Sequence, residues 1–132
     1  MIVDTSVWVD FFRPATPETL RRKILRIVDD IDVCICEPSL FELQRAAPRR
    51  QRRRLNLYFD TVRVLPAPSD IWTGATRLGQ KCLDKGHAVG TMDLLIAETC
   101  MAHDLPIVTF DRDFQSIAAV SALDLILLDR QN

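Results

Sequence analysis

Asp4, Glu42, Asp93 and Asp111 each stand where a short apolar run ends or where a helix begins. Four carboxylates brought together without a cation would be unfavourable, because each raises the pKa of its neighbours and every unit corresponds to roughly 1.4 kcal/mol. A hard divalent cation removes the conflict. Magnesium or manganese takes a few carboxylate oxygens, keeps several waters and leaves positions for phosphate oxygens. Held in this way, the cation lowers the pKa of a bound water, orients it for attack on phosphorus and stabilises the leaving oxygen, with or without a second ion about 4 Å away. The reaction class is phosphodiester hydrolysis. Each acid also has a plainer reading. Asp93 could complement its helix dipole with Thr91 as the cap, Asp111 could cap a following helix, and Glu42 could be an ordinary solvated helix residue. Asp113 reads as solvated. Asp4 differs, since an acid that ends an apolar strand needs partners.

The elements that must position these acids follow from the apolar pattern. Met1-Ile2-Val3 is a short apolar run ending at Asp4, with Thr5 and Ser6 placed to cap a helix bearing Trp8, Phe11 and Phe12. Thr16-Pro17-Glu18 predicts a cap, a first-turn proline and a first-turn acid for a helix with Leu20, Ile24, Ile27 and Val28 on one stripe. Val33 to Cys36 suits a buried strand, and the helix after Glu37-Pro38-Ser39 carries Glu42 about one turn in. Pro48 opens an arginine-rich helical segment reaching Phe59, followed by a third strand at Val62 to Leu65. Ile71, Ala75, Leu78 and Cys82 repeat at the spacing of a long helix that stops at Lys85-Gly86. Met92, Leu95, Ile96 and Cys100 predict a mostly buried helix with Asp93 in its first turn. Pro106-Ile107-Val108-Thr109 suits a strand buried on both faces that delivers Asp111. A short helix over Phe114 to Ala119 and a last strand at Leu125 to Leu128 complete the order.

Strands alternating with helices imply an α/β fold, a parallel sheet covered on both faces. Ligand sites in such sheets lie beyond the carboxyl ends of the strands, at a switch in strand order. Asp4 and Asp111 belong to that edge, while Glu42 and Asp93 occupy the first turns of helices that start from it. Four acids distant in sequence thereby meet in one cleft.

At 132 residues the chain is expected to be one domain, 1–132. Its 48% hydrophobic and 27% charged residues suit a soluble globular protein. No apolar run is long enough for a membrane span and no secretion signal is visible, which predicts a cytoplasmic protein. Cys34, Cys36, Cys82 and Cys100 lack zinc-type spacing and are expected to be reduced and buried. A net charge of −1 excludes a globally basic nucleic-acid binder. The charge is uneven, however: Arg45, Arg49, Arg50, Arg52, Arg53 and Arg54 crowd one segment. That segment is either sequence-independent phosphate chemistry or a solvated helix and partner surface. Arg49, Arg50, Arg52, Arg53 and Arg112 are the candidate RNA contacts. His87 and His103 read as loop and helix-end residues, and Trp8 and Trp72 as core or interface. A receiver-like phosphoacceptor domain would also use acids at this edge, but the lysine it needs at the end of a later strand is missing.

Met1-Ile2-Val3-Asp4-Thr5-Ser6-Val7-Trp8, Leu40-Phe41-Glu42-Leu43, Asp93-Leu94-Leu95-Ile96-Ala97 and Val108-Thr109-Phe110-Asp111-Arg112-Asp113-Phe114 together resemble the PIN-domain family, most closely its VapC-type toxins. The resemblance implies a three-layer α/β/α sandwich with a central, mainly parallel sheet, and a Mg2+- or Mn2+-dependent ribonuclease. By position, Asp4, Glu42, Asp93 and Asp111 match the family's acidic quartet. Thr5, Ser6 and Thr109 match hydroxyls that hold the acids or bound waters, and Asp113 an acid present in some members. The family further implies a homodimer and a cognate VapB-type antitoxin. The chain departs at Val89-Gly90-Thr91-Met92, where relatives commonly have proline, and at Gln44-Arg45-Ala46-Ala47, where glycine is frequent. Neither departure touches an acid, although both could alter loop shape and antitoxin fit. An RNA-processing nuclease outside toxin-antitoxin systems and a non-catalytic RNA- or partner-binding module are the alternative readings.

Overall fold

The structure, a computed structural model, describes residues 1–131. Strands β1 (Ile2–Val3), β2 (Cys34–Cys36), β3 (Arg63–Leu65), β4 (Ile107–Thr109) and β5 (Leu125–Leu127) form one sheet. Its order is β3-β2-β1-β4-β5 and every pairing is parallel. The helices are α1 (Thr5–Phe12), α2 (Glu18–Val28), α3 (Glu37–Ala46), α4 (Arg52–Phe59), α5 (Ile71–Asp84), α6 (Thr91–Ala102) and α7 (Phe114–Ala118), with a 3-10 turn at Arg49–Gln51.

Strand alternation sorts the core into two layers. Ile2, Cys34, Cys36 and Ile107 join Leu78, Cys82, Ile96, Cys100, Phe114 and Ile117 of α5, α6 and α7 on one face. Val3 and Ile35 join Val7, Trp8, Ile24, Leu43, Leu55 and Phe59 of α1 to α4 on the other. Successive side chains of a strand point to opposite faces, so the central strands read apolar throughout. The result is the expected three-layer sandwich. Trp8 is fully buried, and its indole N–H donates to Val3 O at 3.0 Å. Trp72 is 68% exposed on α5, which rules out a core role for it. All four cysteines are free and buried. No helix among the described residues is long and apolar enough to cross a membrane.

Two loops turn helices sharply back toward the sheet. After α5, Gly86 N–H bonds Leu83 O and His87 N–H bonds Cys82 O at 2.9 Å each, with Gly86 at φ 85°. After α6, Asp104 at φ 52° takes the same place, its N–H on Met101 O and the Leu105 N–H on Cys100 O, both at 3.1 Å. This paired closure satisfies helix-end carbonyls and favours glycine, with Asp a tolerated substitute. The second turn delivers the chain directly into β4.

The helix caps differ from expectation. Asp4, not Thr5 or Ser6, caps α1: its backbone is extended and its carboxylate Oδ2 accepts the Ser6 N–H at 3.3 Å. Pro17 occupies the cap position of α2 without a side-chain bond, because the Thr16 hydroxyl donates to Asp10 O at 2.5 Å. Gly90, not Thr91, precedes α6, and no side chain caps that helix.

Candidate functional site

Strand order reverses between β1 and β4, and the residues leaving those strands are Asp4 and Thr109-Phe110-Asp111. Asp4 is 3% exposed, and burial pushes its carboxyl pKa up against the opposing effect of its hydrogen bonds. Oδ2 of Asp4 accepts from Thr109 Oγ1 at 2.7 Å, from Ser6 Oγ at 2.9 Å and from the Ser6 N–H. Each hydroxyl has one proton, so with both given to Asp4 the 3.1 Å between Ser6 Oγ and Thr109 Oγ1 is a contact only. Their lone pairs face the other strand end. Ser6 Oγ accepts the Phe110 N–H at 3.1 Å and Thr109 Oγ1 the Asp111 N–H at 2.9 Å. The β1–α1 and β4–α7 junctions are therefore stitched together by two hydroxyls and one carboxylate.

Asp93 enters from the first turn of α6, half-buried. Its pKa is pushed up to about 7, first by burial and then by the charges of Asp111, Asp4, Glu42 and Asp113. Carboxylate oxygens of Asp93, Asp111 and Asp113 lie within 4.8 Å of one another. Asp113 thus shares this triad although its sequence position reads as solvated and it is exposed. Asp111 Oδ1 accepts the Asp113 N–H at 2.9 Å, which folds the turn so that both carboxylates face the same space. Glu42 of α3 accepts the Thr5 hydroxyl at 2.8 Å and adds its charge from the opposite wall.

All five acids thereby come to one sheet edge, yet none of them is in an ion pair among the described residues. An all-oxygen donor set, repelling itself and without an organic counter-ion, fits magnesium or manganese and does not fit a thiolate-seeking metal. His87 and His103 stay outside it. His103 at the end of α6 contacts Pro66 O at 2.8 Å.

One buried acid was not visible from the sequence as part of this region. Asp10 is 4% exposed on α1 and pairs with Arg130 Nε at 2.7 Å and, more weakly, with Arg13 Nη1 at 3.9 Å. The Arg130 guanidinium also lies 4.6 Å from the Phe110 ring centroid. Phe110 separates Thr109 from Asp111, so the C-terminal segment braces the β4–α7 junction. The available signal was an acid inside the apolar run Val7-Trp8-Val9-Asp10-Phe11-Phe12.

The arginine segment forms a rim beside Glu42. Arg45, Arg49, Arg50, Arg52, Arg53 and Arg54 are exposed, and none is paired with a carboxylate among the described residues. Arg112 is exposed in the turn between Asp111 and Asp113.

The chain is similar to several known proteins. Ribonuclease VapC21 of Mycobacterium tuberculosis is 32% identical over 79 residues, 58% of this chain and 57% of that protein. Among solved structures, VapBC2 from Rickettsia felis bound to a DNA fragment from their promoter superposes with a TM-score of 0.75 at 18% identity, covering 97% of this chain and 98% of that one. VapBC-5 from Mycobacterium tuberculosis, a member of the VapBC family of toxin-antitoxin systems, gives 0.68 at 25% identity, covering 96% and 97%. These structural matches establish the shared fold. The PIN domain model matches residues 1–120, a span that contains both strand ends of the switch and all five acids, and the chain therefore belongs to the PIN domain family.

Proposed function

We propose that the chain is a divalent-cation-dependent endoribonuclease, the toxin of a VapBC-type toxin-antitoxin pair. The observation that carries this reading is the convergence of Asp4, Glu42, Asp93, Asp111 and Asp113 on one sheet edge with no basic partner among the described residues. Similarity to Ribonuclease VapC21 over 57% of that protein and to the VapBC structures supports it.

Asp93, Asp111 and Asp4 would hold Mg2+ or Mn2+, with Glu42 and Asp113 completing the set. Bound there, the cation supplies Lewis-acid stabilisation of a phosphodiester and a water of lowered pKa. The chain's own residues do the rest. Thr109 and Ser6 fix the Asp4 carboxylate, while their backbone-facing lone pairs hold Asp111 in register with it. Thr5 holds Glu42 by a hydrogen bond, and that carboxylate would accept a proton from a water approaching phosphorus. No covalent intermediate with a side chain is required. Arg49, Arg50, Arg52, Arg53 and Arg112 would contact the flanking phosphates. A VapB-type antitoxin and a second copy of the chain are the proposed protein partners, and the cytoplasm the proposed compartment.

Asp93→Ala tests the reading. The variant should keep its fold and lose RNA cleavage by at least about a hundredfold, as scored by mapping RNA ends after brief expression beside the wild type. Equal cleavage by both proteins after purification would overturn the assignment. Metal-dependent thermal stabilisation without turnover of any RNA would favour a binding module instead.

A further inference from the structure

A cavity of about 380 Å³ opens beside the acids, between α1, α3 and the segment from the 3-10 turn to α4. We propose that it is a subsite for one unstacked nucleobase of the RNA, adjacent to the phosphate that is cut. The inference rests on the ribonuclease reading and names the form of substrate that reading leaves open.

Position is the first argument. Thr5 and Glu42 belong to both places: they line the cavity and are joined by the 2.8 Å hydrogen bond at the edge of the acid cluster. Whatever fills the cavity is therefore next to the reacting group. Chemistry is the second. Val9, Phe12, Leu43 and Leu55 make apolar walls, whereas Gln51 contributes an amide with both donors and an acceptor. A flat aromatic ring with a hydrogen-bonding edge suits such walls, and a volume near the lower end of the about 300–1,000 Å³ typical of ligand pockets admits little more. A phosphate would not enter an apolar interior.

Charge is the third argument. Arg13 and Arg45 stand at the cavity, and the exposed arginines from Arg49 to Arg54 continue the basic rim without a carboxylate partner among the described residues. One cavity thus brings together an acid of the cluster, apolar walls and arginines, and a nucleotide chain carries its scissile phosphate, base and next phosphate within the same short span. A base held in a duplex stack cannot reach a slot between helices, so the subsite selects single-stranded or looped RNA.

The test uses full-length protein carrying Asp93→Asn, so that RNA binds without being cut, alone and combined with Ala46→Trp to fill the slot or Gln51→Leu to remove the amide. Anisotropy titrations with four single-stranded homopolymers and a hairpin duplex give the affinities. Filling the slot should weaken single-strand binding at least about fivefold and erase the differences among the four bases, leaving duplex binding unchanged. Gln51→Leu should change the base preference more than the mean affinity. Unaltered base preference and single-strand affinity in both variants would overturn the subsite and leave the cavity to a protein segment. In that case cleavage by the parent protein with Asp93 restored keeps the nuclease reading intact. Absence of RNA binding by any form overturns both.

Discussion

At the scale of single residues, the site is governed by Asp93. Its carboxyl rises from an ordinary 3.8 to about 7 through burial and four neighbouring charges. Folded protein then holds a proton that the unfolded chain has already released, over the window from about pH 4 to about pH 7. The Asp93 contribution to the stability of the cation-free protein should be fully present below that window, be lost as pH rises through it and level off above. Asp4 and Glu98 are also raised, so they add to the same slope. A divalent cation must displace the Asp93 proton, and the melting-temperature gain on adding Mn2+ should grow through the same window. Asp93→Asn should raise the cation-free melting temperature at neutral pH, flatten its pH dependence and remove most of the Mn2+ gain. Melts from about pH 5 to about pH 8 check this; a gain that shrinks with rising pH would contradict it. Asp4, Glu42, Asp93 and Asp111 were legible in the sequence because each follows a recognisable strand or opens a recognisable helix. Asp113 was less so, since its membership of the triad depends on the Asx-like turn that Asp111 makes with its N–H.

At the scale of elements, most helices were legible from apolar residues recurring near 3.6 and the strands from short apolar runs, because a strand buried on both faces shows no alternation. Caps were harder to read. A hydroxyl at a helix start has several acceptors within reach, and Thr5, Ser6 and Thr16 chose Glu42, Asp4 and Asp10 O over the local helix end. Long-range braces leave no local signature at all. Arg130 meets Asp10 across 120 positions, with Phe110 as the surface it lies over. Arg130→Ala would leave the Asp10 carboxylate 4% exposed with only Arg13 at 3.9 Å. Half of the Arg130 side chain is in solvent, which moderates the loss, so urea unfolding should show about 1–3 kcal/mol. Asp10→Asn combined with Arg130→Ala should cost less than the sum of the two single changes, because no charge is then buried unpaired. Additive costs would mean that the two side chains are not coupled and that the brace is packing alone.

At the scale of the molecule, parallel topology turns the linear order of the chain into a polarised object. The order β3-β2-β1-β4-β5 makes β1 the neighbour of β4 and so puts Asp4 beside Asp111, and that adjacency is reached by rules of connection, not by any one stretch of sequence. The slot beside Glu42 was not legible, since it depends on how far α1 stands from α3 and α4. The charge map follows from both: a net charge of −1 conceals an acidic cleft with arginines nearby that have no carboxylate partner among the described residues. For a polyanion such a surface is repulsive at the centre and attractive at the edge, so a cation at the acids and arginines at the rim must act together. Single-strand RNA binding by Asp93→Asn should weaken with salt, the slope of log affinity against log salt being about −0.7 for each phosphate neutralised. Arg49→Ala with Arg50→Ala should flatten that slope by about 1.4 if both side chains meet phosphates. The base preference set in the slot should survive this change, because phosphate contacts position the chain without reading its bases. An unchanged slope would assign the arginine segment to a protein partner, leaving RNA to the cleft and the slot.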